Sequence, residues 1–361
     1  MSRSVLNFGA GPAMLPEELM LQAQAELLDW QGTGKSVMEI GHRTADFKSI
    51  ADHAEQSLRD ILNISDDYHV LFLAGGATQQ FSAIPMNLLQ GKTSADYLHT
   101  GIWSARAVQL AKRYCDINIV CSSEQSNFTT ITDANDWKLD EKAAYVYYTD
   151  NETIGGLEFH FIPDIAGVPL VSDMTSSILS KTIDVSCFGL IFAAAQKNIG
   201  PAGMTVVIVH KDLLGDVLPF TPDLFDYRLQ AQEKSMLNTP PTFNWYMAGL
   251  MFDWVKQQGG LDELEKRNQR KSSLLYDYID TSSFYQNNID AAYRSKMNVV
   301  FSLTDGNLTD DFLKQAESNG LHALKGHRLA GGMRASLYNA MPESGVKQLV
   351  CFMQEFERTQ S

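Results

Sequence analysis

The sequence predicts an α/β protein whose sheet is mostly parallel and covered by helices on both faces. Stretches with strand character alternate with stretches with helix character through the first two thirds of the chain. The run 189–195 (GLIFAAA) carries no polar side chain, which is typical of a strand buried on both faces. After about residue 260 this rhythm changes, which predicts a separate and smaller α+β unit.

The elements follow in order along the chain. Helices are predicted at 16–30, where Pro16 suits the first turn, at 45–62 and at about 79–89. Strands are predicted at 68–74, 95–99, 117–121, 144–149, 168–173 and 188–194. The segment 205–210 (TVVIVH) follows the preceding strand too closely for a helical crossover, so we expect it to run antiparallel. The C-terminal unit is expected to hold helices at 261–279, 310–319 and 343–357 and strands at 298–303 and 332–337.

Composition excludes several classes of partner. The chain has 361 residues, with 29 Lys and Arg against 43 Asp and Glu, and its net charge of −14 argues against nucleic acid and anionic membranes. A hydrophobic fraction of 44% indicates a soluble globular protein. The N-terminus lacks the apolar region of a signal peptide, and no apolar stretch approaches a membrane span. The scattered cysteines predict reduced thiols in a cytoplasmic protein, without a disulfide or metal framework: Cys115, Cys121, Cys187 and Cys351.

A lysine and a carboxylate follow two neighbouring predicted strands. Lys197 lies in a Gly- and Pro-rich turn after the strand 188–194, and Asp173 ends the strand 168–173. Ligands of open α/β sheets bind at the carboxyl ends of strands, and pyridoxal phosphate needs a lysine together with a carboxylate for its ring nitrogen. Taken singly, Lys197 reads as a solvated lysine at a strand end and Asp173 as a helix N-cap. The pair favours a pyridoxal phosphate site.

Three other features at strand ends carry weaker signals. The turn Gly75-Gly76-Ala77-Thr78 lies between a strand and a helix, where anions bind, but it also suits a simple tight turn and matches no phosphate-loop motif. Trp103 opens a helix and either stacks on a bound ring or belongs to the core. Thr153 offers a hydroxyl in what is otherwise an ordinary polar loop.

Five motifs resemble those of the phosphoserine aminotransferase family, in class V of the fold-type-I pyridoxal-phosphate enzymes. They are 7–13 (NFGAGPA), 36–43 (SVMEIGHR), 195–203 (AQKNIGPAG), 238–243 (NTPPTF) and 326–342 (GHR…GGMRASLYNAMP), and the resemblance runs from about residue 5 to 358. It implies a large cofactor-binding domain over 16–264 with a seven-stranded, mostly parallel sheet. It also implies a small α+β domain over 265–361, joined by the N-terminal arm 1–15, and a homodimer with active sites at the subunit interface.

The resemblance also implies roles for individual residues. Lys197 would carry the cofactor and transfer protons, and Asp173 would pair with the pyridine nitrogen. Further cofactor contacts would come from Trp103 at the ring, Thr153 near the phenolic oxygen, Ala77, Thr78 and Gln196 at the phosphate, and Asn238 and Thr239 of the other subunit. Arg334 would bind the substrate α-carboxylate, and the pocket for the substrate phosphate or the distal carboxylate of glutamate would comprise His42, Arg43, His327 and Arg328.

Two positions depart from some members of that family. Ala10 stands where some members carry serine, close to bound glutamate, and Thr78 stands where some carry arginine. With threonine at 78, binding of the substrate phosphate would depend more heavily on the two His-Arg pairs. Each pair taken alone reads as surface charge.

The function implied is the interconversion of 3-phosphohydroxypyruvate plus L-glutamate and O-phospho-L-serine plus 2-oxoglutarate in L-serine biosynthesis. Activity on 4-phosphohydroxy-L-threonine in pyridoxine biosynthesis is also expected. Three alternatives stay open. A cysteine desulfurase would need a nucleophilic cysteine on a mobile loop. A small-substrate alanine–glyoxylate transaminase would not need the His-Arg pairs, and a non-catalytic phosphate-binding module would have no use for Lys197.

Overall fold

The computed structural model describes residues 5–165 and 167–360 and arranges them in alternating helices and strands. The helices are α1 (Glu17–Glu26), α2 (Ala45–Leu62), α3 (Ala77–Leu88), α4 (Ile102–Ala111), α5 (Tyr227–Gln232), α6 (Thr242–Gln257), α7 (Gly260–Thr281), α8 (Thr309–Ser318) and α9 (Glu343–Gln360). The strands are β1 (Leu6–Asn7), β2 (Tyr68–Ala74), β3 (Ser94–His99), β4 (Asp116–Ser122), β5 (Val146–Thr149), β6 (Asn151–Glu152), β7 (Leu157–Glu158), β8 (Leu170–Asp173), β9 (Leu190–Ala194), β10 (Met204–His210), β11 (Tyr285–Gln286), β12 (Asn298–Leu303), β13 (Leu321–His322) and β14 (Met333–Ser336).

The central sheet has seven strands in the order β2-β10-β9-β8-β5-β3-β4. Strands β9, β8, β5, β3 and β4 pair in parallel, whereas β10 runs antiparallel to both of its neighbours. Val207 of β10 lies opposite Leu71 of β2 on one side and Phe192 of β9 on the other. The prediction of a mostly parallel α/β sheet with an antiparallel 205–210 segment is confirmed.

Helices cover both faces of this sheet. Because side chains alternate along a strand, Ile191 and Ala193 of β9 face one hydrophobic core, and Leu190 and Phe192 face the other. The first core is closed by α1, α2 and α6, and the second by α3 and α4. Full burial of each large apolar side chain stabilises the fold by about 1.5–3 kcal/mol, which explains why the strand has no polar alternation.

Helices α1 and α6 are among the elements that differ from the sequence-based expectation. Helix α1 ends at Glu26 rather than at residue 30, and Trp30–Gly32 form a separate turn in which Gln31 has φ 50°. Asp29 has φ −145° and ψ 85°, outside the helical region, so the helix cannot run through to residue 30. The sequence does not predict α6, since this helix is buried on most sides and therefore lacks the apolar–polar periodicity of a surface helix.

The C-terminal unit has its own antiparallel sheet, β11-β12-β14, and its own core with α7, α8 and α9. Leu6 in the N-terminal arm pairs in parallel with Leu321, which joins the arm to this unit. Helix α7 contributes Leu264 to the core of the large sheet and Leu275 to the C-terminal core. We propose a large domain at 16–264 and a small domain at 265–361 with the arm, apart from residues 1–4, 166 and 361, which lie outside the described residues.

Within the residues that the structure describes, no helix has the length and apolar character that crossing a membrane requires.

Candidate active site

Three strands of the central sheet deliver polar residues to one edge. Asp173 is the last residue of β8, Lys197 follows β9 by three residues, and β5 continues into Asn151 and Thr153. Because β5, β8 and β9 are adjacent and parallel, their carboxyl ends lie side by side. The chain thus brings an amine, a carboxylate and a hydroxyl to one place.

These residues line a cavity of about 350 Å³. Nine residues predicted from the sequence lie in its wall: Ala77, Thr78, Trp103, Thr153, Asp173, Gln196, Lys197, His327 and Arg334. Ala10 also lines it, at the position where the resemblance implies a substrate contact. A larger cavity of about 540 Å³ lies beside Lys181, so it is the chemistry of the lining, and not the volume, that distinguishes the candidate site.

Lys197 is buried, with 6% of its surface exposed. Its Nζ donates a hydrogen bond to Thr153 Oγ1 at 2.5 Å. Burial lowers the pKa of Lys197 to about 7, although the nearby Asp173 carboxylate acts in the opposite direction. The interpretation of Lys197 as a solvated lysine is therefore wrong. Near neutral pH a large fraction of this amine is unprotonated and nucleophilic.

Asp173 is buried at the end of β8. Its Oδ1 accepts a hydrogen bond from Thr175 N at 2.9 Å, and burial raises the pKa of its carboxyl group. The residues after Asp173 form turns and not a helix, so the N-cap interpretation is wrong. The contact with Thr175 N instead fixes the carboxylate orientation beside Lys197.

The turn after β2 places the start of a helix in the cavity wall. Gly75 has φ 111°, a conformation that favours glycine, and its carbonyl accepts a hydrogen bond from Thr205 Oγ1 at 3.0 Å. Gly76 precedes the first residue of α3, and a Cβ atom placed on Gly76 would meet no other atom. The first amides of a helix lack intrahelical acceptors and attract anions, so this part of the wall suits a phosphate group.

Several buried polar atoms around the cavity have no partner among the described residues. They include Trp103 Nε1, Asn151 Oδ1 and Arg334 Nε. Arg334 is held in the wall by a long hydrogen bond of 3.4 Å from Nη1 to the carbonyl oxygen of Thr153. Since buried polar groups in native proteins are nearly always hydrogen-bonded, these atoms indicate a cavity built for a polar ligand.

A buried amide network supports the site, and sequence reasoning missed it. Asn151 Nδ2 donates to Ser176 Oγ at 3.0 Å and to Asn298 Oδ1 at 2.9 Å. Asn298 Nδ2 donates to Tyr338 Oη at 3.1 Å, and Tyr338 Oη donates to the carbonyl of Ala10 at 3.1 Å. The only signal in the sequence is the position of Asn151 just after a strand. The network joins the β6–β7 hairpin, the C-terminal sheet and the N-terminal arm.

Five predicted site residues do not reach this cavity within one chain: His42, Arg43, Asn238, Thr239 and Arg328. His42 and Arg43 line a different cavity of about 490 Å³. Asn238, Thr239 and Arg328 are exposed. The described chain therefore presents an amine, an arginine and a helix N-terminus in one cavity, and the five other predicted residues lie outside that cavity.

Comparison with known proteins places the chain in a family. A sequence profile of aminotransferase class V matches residues 5–349. The chain is 53% identical to the phosphoserine aminotransferase of Pseudomonas paraeruginosa over 358 residues, which cover 99% of each chain. The chain belongs to the class-V aminotransferase family. As a class-V aminotransferase it is a pyridoxal-phosphate-dependent transaminase.

Solved structures agree with the assignment of this chain to the class-V aminotransferase family. A phosphoserine aminotransferase from Bacillus circulans subsp. alkalophilus is similar with a TM-score of 0.97 and 42% identity, over 100% of both chains. The pyridoxal-phosphate-bound phosphoserine aminotransferase of Trichomonas vaginalis is similar with a TM-score of 0.91 and 40% identity, over 97% of this chain and 99% of that one.

The residues around the Lys197 cavity of this class-V aminotransferase are suited to binding pyridoxal phosphate. Lys197 supplies a buried amine with a pKa of about 7, suited to reaction with an aldehyde. The amides at the start of α3 are suited to a phosphate, and Asp173 supplies a carboxylate in the same cavity. Trp103 Nε1 has no hydrogen-bond partner among the described residues, which leaves one buried donor in this wall for a ligand.

Proposed function

We propose that this chain is a phosphoserine:2-oxoglutarate aminotransferase. It interconverts 3-phosphohydroxypyruvate plus L-glutamate and O-phospho-L-serine plus 2-oxoglutarate in a ping-pong reaction, as a cytoplasmic enzyme of L-serine biosynthesis. It also acts on 4-phosphohydroxy-L-threonine in pyridoxine biosynthesis. The observation that carries the proposal is the cavity in which a buried Lys197 contacts Thr153 beside Asp173 and Arg334, whose Nε has no hydrogen-bond partner among the described residues. The relative that is 53% identical over 99% of the chain is named phosphoserine aminotransferase.

Lys197 performs the proton transfers in this proposal. When bound, pyridoxal phosphate supplies a carbonyl group that takes up the amino group and a ring that accepts the electron pair left at the substrate Cα. Lys197 Nζ would remove the Cα proton as a general base and then, as a general acid, deliver a proton to the carbon atom of the cofactor's former carbonyl group. A pKa of about 7 suits both directions near neutral pH, and Thr153 Oγ1 holds the amine in place. Asp173 keeps the pyridine nitrogen protonated through its negative charge.

The substrate is held by its two anionic ends. Arg334 binds the α-carboxylate, because its guanidinium offers paired donors and its Nε has no partner within the described part of the chain. His327 lines the same cavity and Arg328 follows it in an exposed position. These two residues bind the phosphate of phosphoserine or the distal carboxylate of glutamate, together with His42 and Arg43. At the cofactor, Trp103 packs on the ring, and Ala77, Thr78 and Gln196 hold the phosphate.

The site is completed in a homodimer. Arg43, Asn238 and Thr239 are exposed in the single chain and distant in sequence from the cavity residues. In the dimer Asn238 and Thr239 contact the cofactor phosphate of the other subunit.

The cysteines favour a transaminase over a desulfurase. Cys115, Cys121, Cys187 and Cys351 do not line the Lys197 cavity. Burial raises the pKa of Cys115 to about 11 and that of Cys121 to about 12, which suppresses the nucleophilic thiolate. A non-catalytic binding module is disfavoured because it has no use for a buried lysine amine.

A half-reaction tests the proposed substrate. O-phosphoserine added to the holoenzyme should shift the absorption of the bound cofactor from the visible to the near ultraviolet, and serine should do so far more slowly.

Arg328→Ala should raise the KM for phosphoserine by a factor of about 10–100, because a charge-assisted hydrogen bond contributes about 1.5–3 kcal/mol. Its bound cofactor should be retained.

Arg358→Ala is the matched control, since this exposed arginine forms its ion pair with Glu355 on α9 and with no other described residue. It should leave the KM unchanged. Equal rates with serine and phosphoserine would contradict the proposed phosphate pocket. Loss of the cofactor in Arg328→Ala would show that this arginine has a different role.

A further inference from the structure

A buried carboxylate close to the cavity has no part in the reaction described above. Glu152 is fully buried and does not line the cavity. Its Oε2 accepts a hydrogen bond from Trp103 N at 2.9 Å. Its Oε1 accepts from Ser104 N at 2.8 Å and from Ser104 Oγ at 2.7 Å. Among the described residues, all its hydrogen-bond donors belong to the first turn of α4.

The position suits a carboxylate better than any neutral group. The amides of Trp103 and Ser104 are the second and third of α4, so they have no acceptor within the helix. A carboxylate at a helix N-terminus is also favoured by the helix dipole. Burial raises the pKa of Glu152, and the hydrogen bonds from α4 oppose that rise by stabilising the charged form.

Gly101 provides the space for this carboxylate. A Cβ atom placed on Gly101 would collide with the carboxyl group of Glu152. The φ of Gly101 is 172°, which is extended backbone open to any residue, so the need for glycine is steric. Gly101 and Glu152, which are 51 positions apart in the chain, therefore pack in direct contact at the start of α4.

Glu152 connects the Thr153–Lys197 pair with Trp103, through its place beside Thr153 in the chain and through its carboxylate. It precedes Thr153, whose hydroxyl contacts Lys197 Nζ, and it lies in β6, paired with Leu157 of β7. Its carboxylate holds the backbone of Trp103, whose side chain lines the same cavity. A displacement of Glu152 would therefore move Trp103 relative to Thr153 and Lys197.

We propose that Glu152 is a positioning residue that fixes the Trp103 ring relative to the Lys197–Thr153 pair, and thereby sets the orientation of the bound cofactor. The proposal depends on the placement of Trp103 against the cofactor ring given under the proposed function. It assigns no contact between Glu152 and substrate or cofactor. Its effect is transmitted through the first turn of α4.

The test is Glu152→Gln in the holoenzyme. The amide keeps the shape of the side chain, but its NH₂ group would face a backbone N–H instead of accepting from it. Amide hydrogen exchange of a peptide covering 100–106 should become at least about 10-fold faster, as expected for loss of a charge-assisted hydrogen bond. The visible circular dichroism of the bound cofactor should change in amplitude. The kcat for phosphoserine should fall by a larger factor than the KM rises, because Arg334 is untouched.

Glu158→Gln is the matched control. Glu158 is 1% exposed and lies on β7 of the same hairpin, but it accepts from Lys181 Nζ at 3.1 Å and Lys296 N at 2.8 Å rather than from α4. It should lower the stability of the protein while leaving both the exchange of 100–106 and the dichroism unchanged. Gly101→Ala is a second variant, which keeps the carboxylate of Glu152 but displaces it. It should show the same changes in exchange and dichroism, and it keeps the test possible if Glu152→Gln does not fold.

Unchanged exchange at 100–106 in both Glu152→Gln and Gly101→Ala would overturn the proposal, as would an equal change in Glu158→Gln. Faster exchange with unchanged dichroism would also overturn it, by showing that α4 does not orient the cofactor. Neither readout needs a substrate. Failure of the phosphoserine half-reaction would therefore be recognised separately from failure of the role of Glu152.

Discussion

At Lys197, burial and chemistry act together. The lysine lies in a turn closed by the N-terminal arm, where Ala13 N donates to the carbonyl oxygen of Gln196 at 2.8 Å. This enclosure removes water from the amine, and desolvation favours its neutral form. The same side chain exposed on the surface would stay protonated at neutral pH and be a poor nucleophile.

The first prediction concerns the pH dependence of cofactor incorporation. The pKa of Lys197 is lowered from 10.5 to about 7, so the fraction of neutral amine rises with pH through about 7 and is then nearly constant. The rate at which the cofactor-free protein incorporates pyridoxal phosphate should follow that curve, as measured by stopped-flow visible absorption. Reaction of α-N-acetyllysine with pyridoxal phosphate corrects for titration of the reagent. A rate that continues to rise up to the range of an exposed lysine would contradict the prediction.

The sequence predicts those site residues whose side-chain chemistry and place at a strand end can both be recognised from the neighbouring residues. Lys197 and Asp173 each follow an apolar strand, and the topology of parallel sheets places strand ends together. Glu152 could not be assigned in this way, since its donors Trp103 N and Ser104 N are about 50 residues earlier in the chain and meet it only in the folded protein. The same holds for Asn151 and its contact with Asn298.

Among the elements, α7 links the C-terminal unit to the site. Lys271 of α7 is fully buried, and its Nζ donates to the carbonyl oxygens of Leu337, Tyr338 and Met341 at 2.8, 2.9 and 3.1 Å. Within that segment, Asn339 N donates to Asn198 Oδ1 at 3.0 Å. Asn198 is the residue after Lys197. The helix thus holds a turn that contacts the site directly.

Removing that amine should destabilise the protein. Lys271→Met keeps an unbranched side chain but removes a donor from three buried carbonyl groups, of which that of Tyr338 keeps Met341 N as a second donor. We expect a loss of about 2–4 kcal/mol in the free energy of unfolding. Lys266→Met is the control on the same helix, where an exposed lysine pairs with Glu263, and should cost under about 0.5 kcal/mol. Urea unfolding of the two holoenzymes measures both. Equal losses would show that the contacts of Lys271 contribute nothing specific.

The strength of the local pattern decided which elements could be predicted. Helix α2 is observed at the predicted residues because Phe47, Ile50, Ala54 and Leu58 follow helical spacing and Thr44 caps its start through Phe47 N. Helix α6 lies between the sheet and other helices, so its apolar residues occur on most sides and give no clear period. Its identity as a helix is settled by packing that the local sequence does not reveal.

For the whole molecule, the net charge is negative although the cavity is suited to negatively charged ligands. The chain carries −14, yet the cavity is suited to anions through Arg334 and the first amides of α3. The guanidinium and these amides in a buried site outweigh a diffuse negative surface, because interactions in the interior are screened less than those between exposed charges. Net charge thus excluded polyanionic partners but gave no guide to the small ligand.

The last prediction tests whether one active site draws on two chains. A mixed dimer of Lys197→Ala and Arg43→Ala chains, purified through two affinity tags, should keep one intact site and about half of the wild-type activity, while each variant alone is impaired. This follows because Arg43 is exposed and lies outside the Lys197 cavity of its own chain. A mixed dimer of Lys197→Ala and Arg334→Ala chains is the control. Both residues line one cavity of the same chain, so neither site of that dimer is intact and activity should stay at background. If the first mixed dimer is as inactive as this control, Arg43 acts within its own chain and the shared-site proposal is wrong.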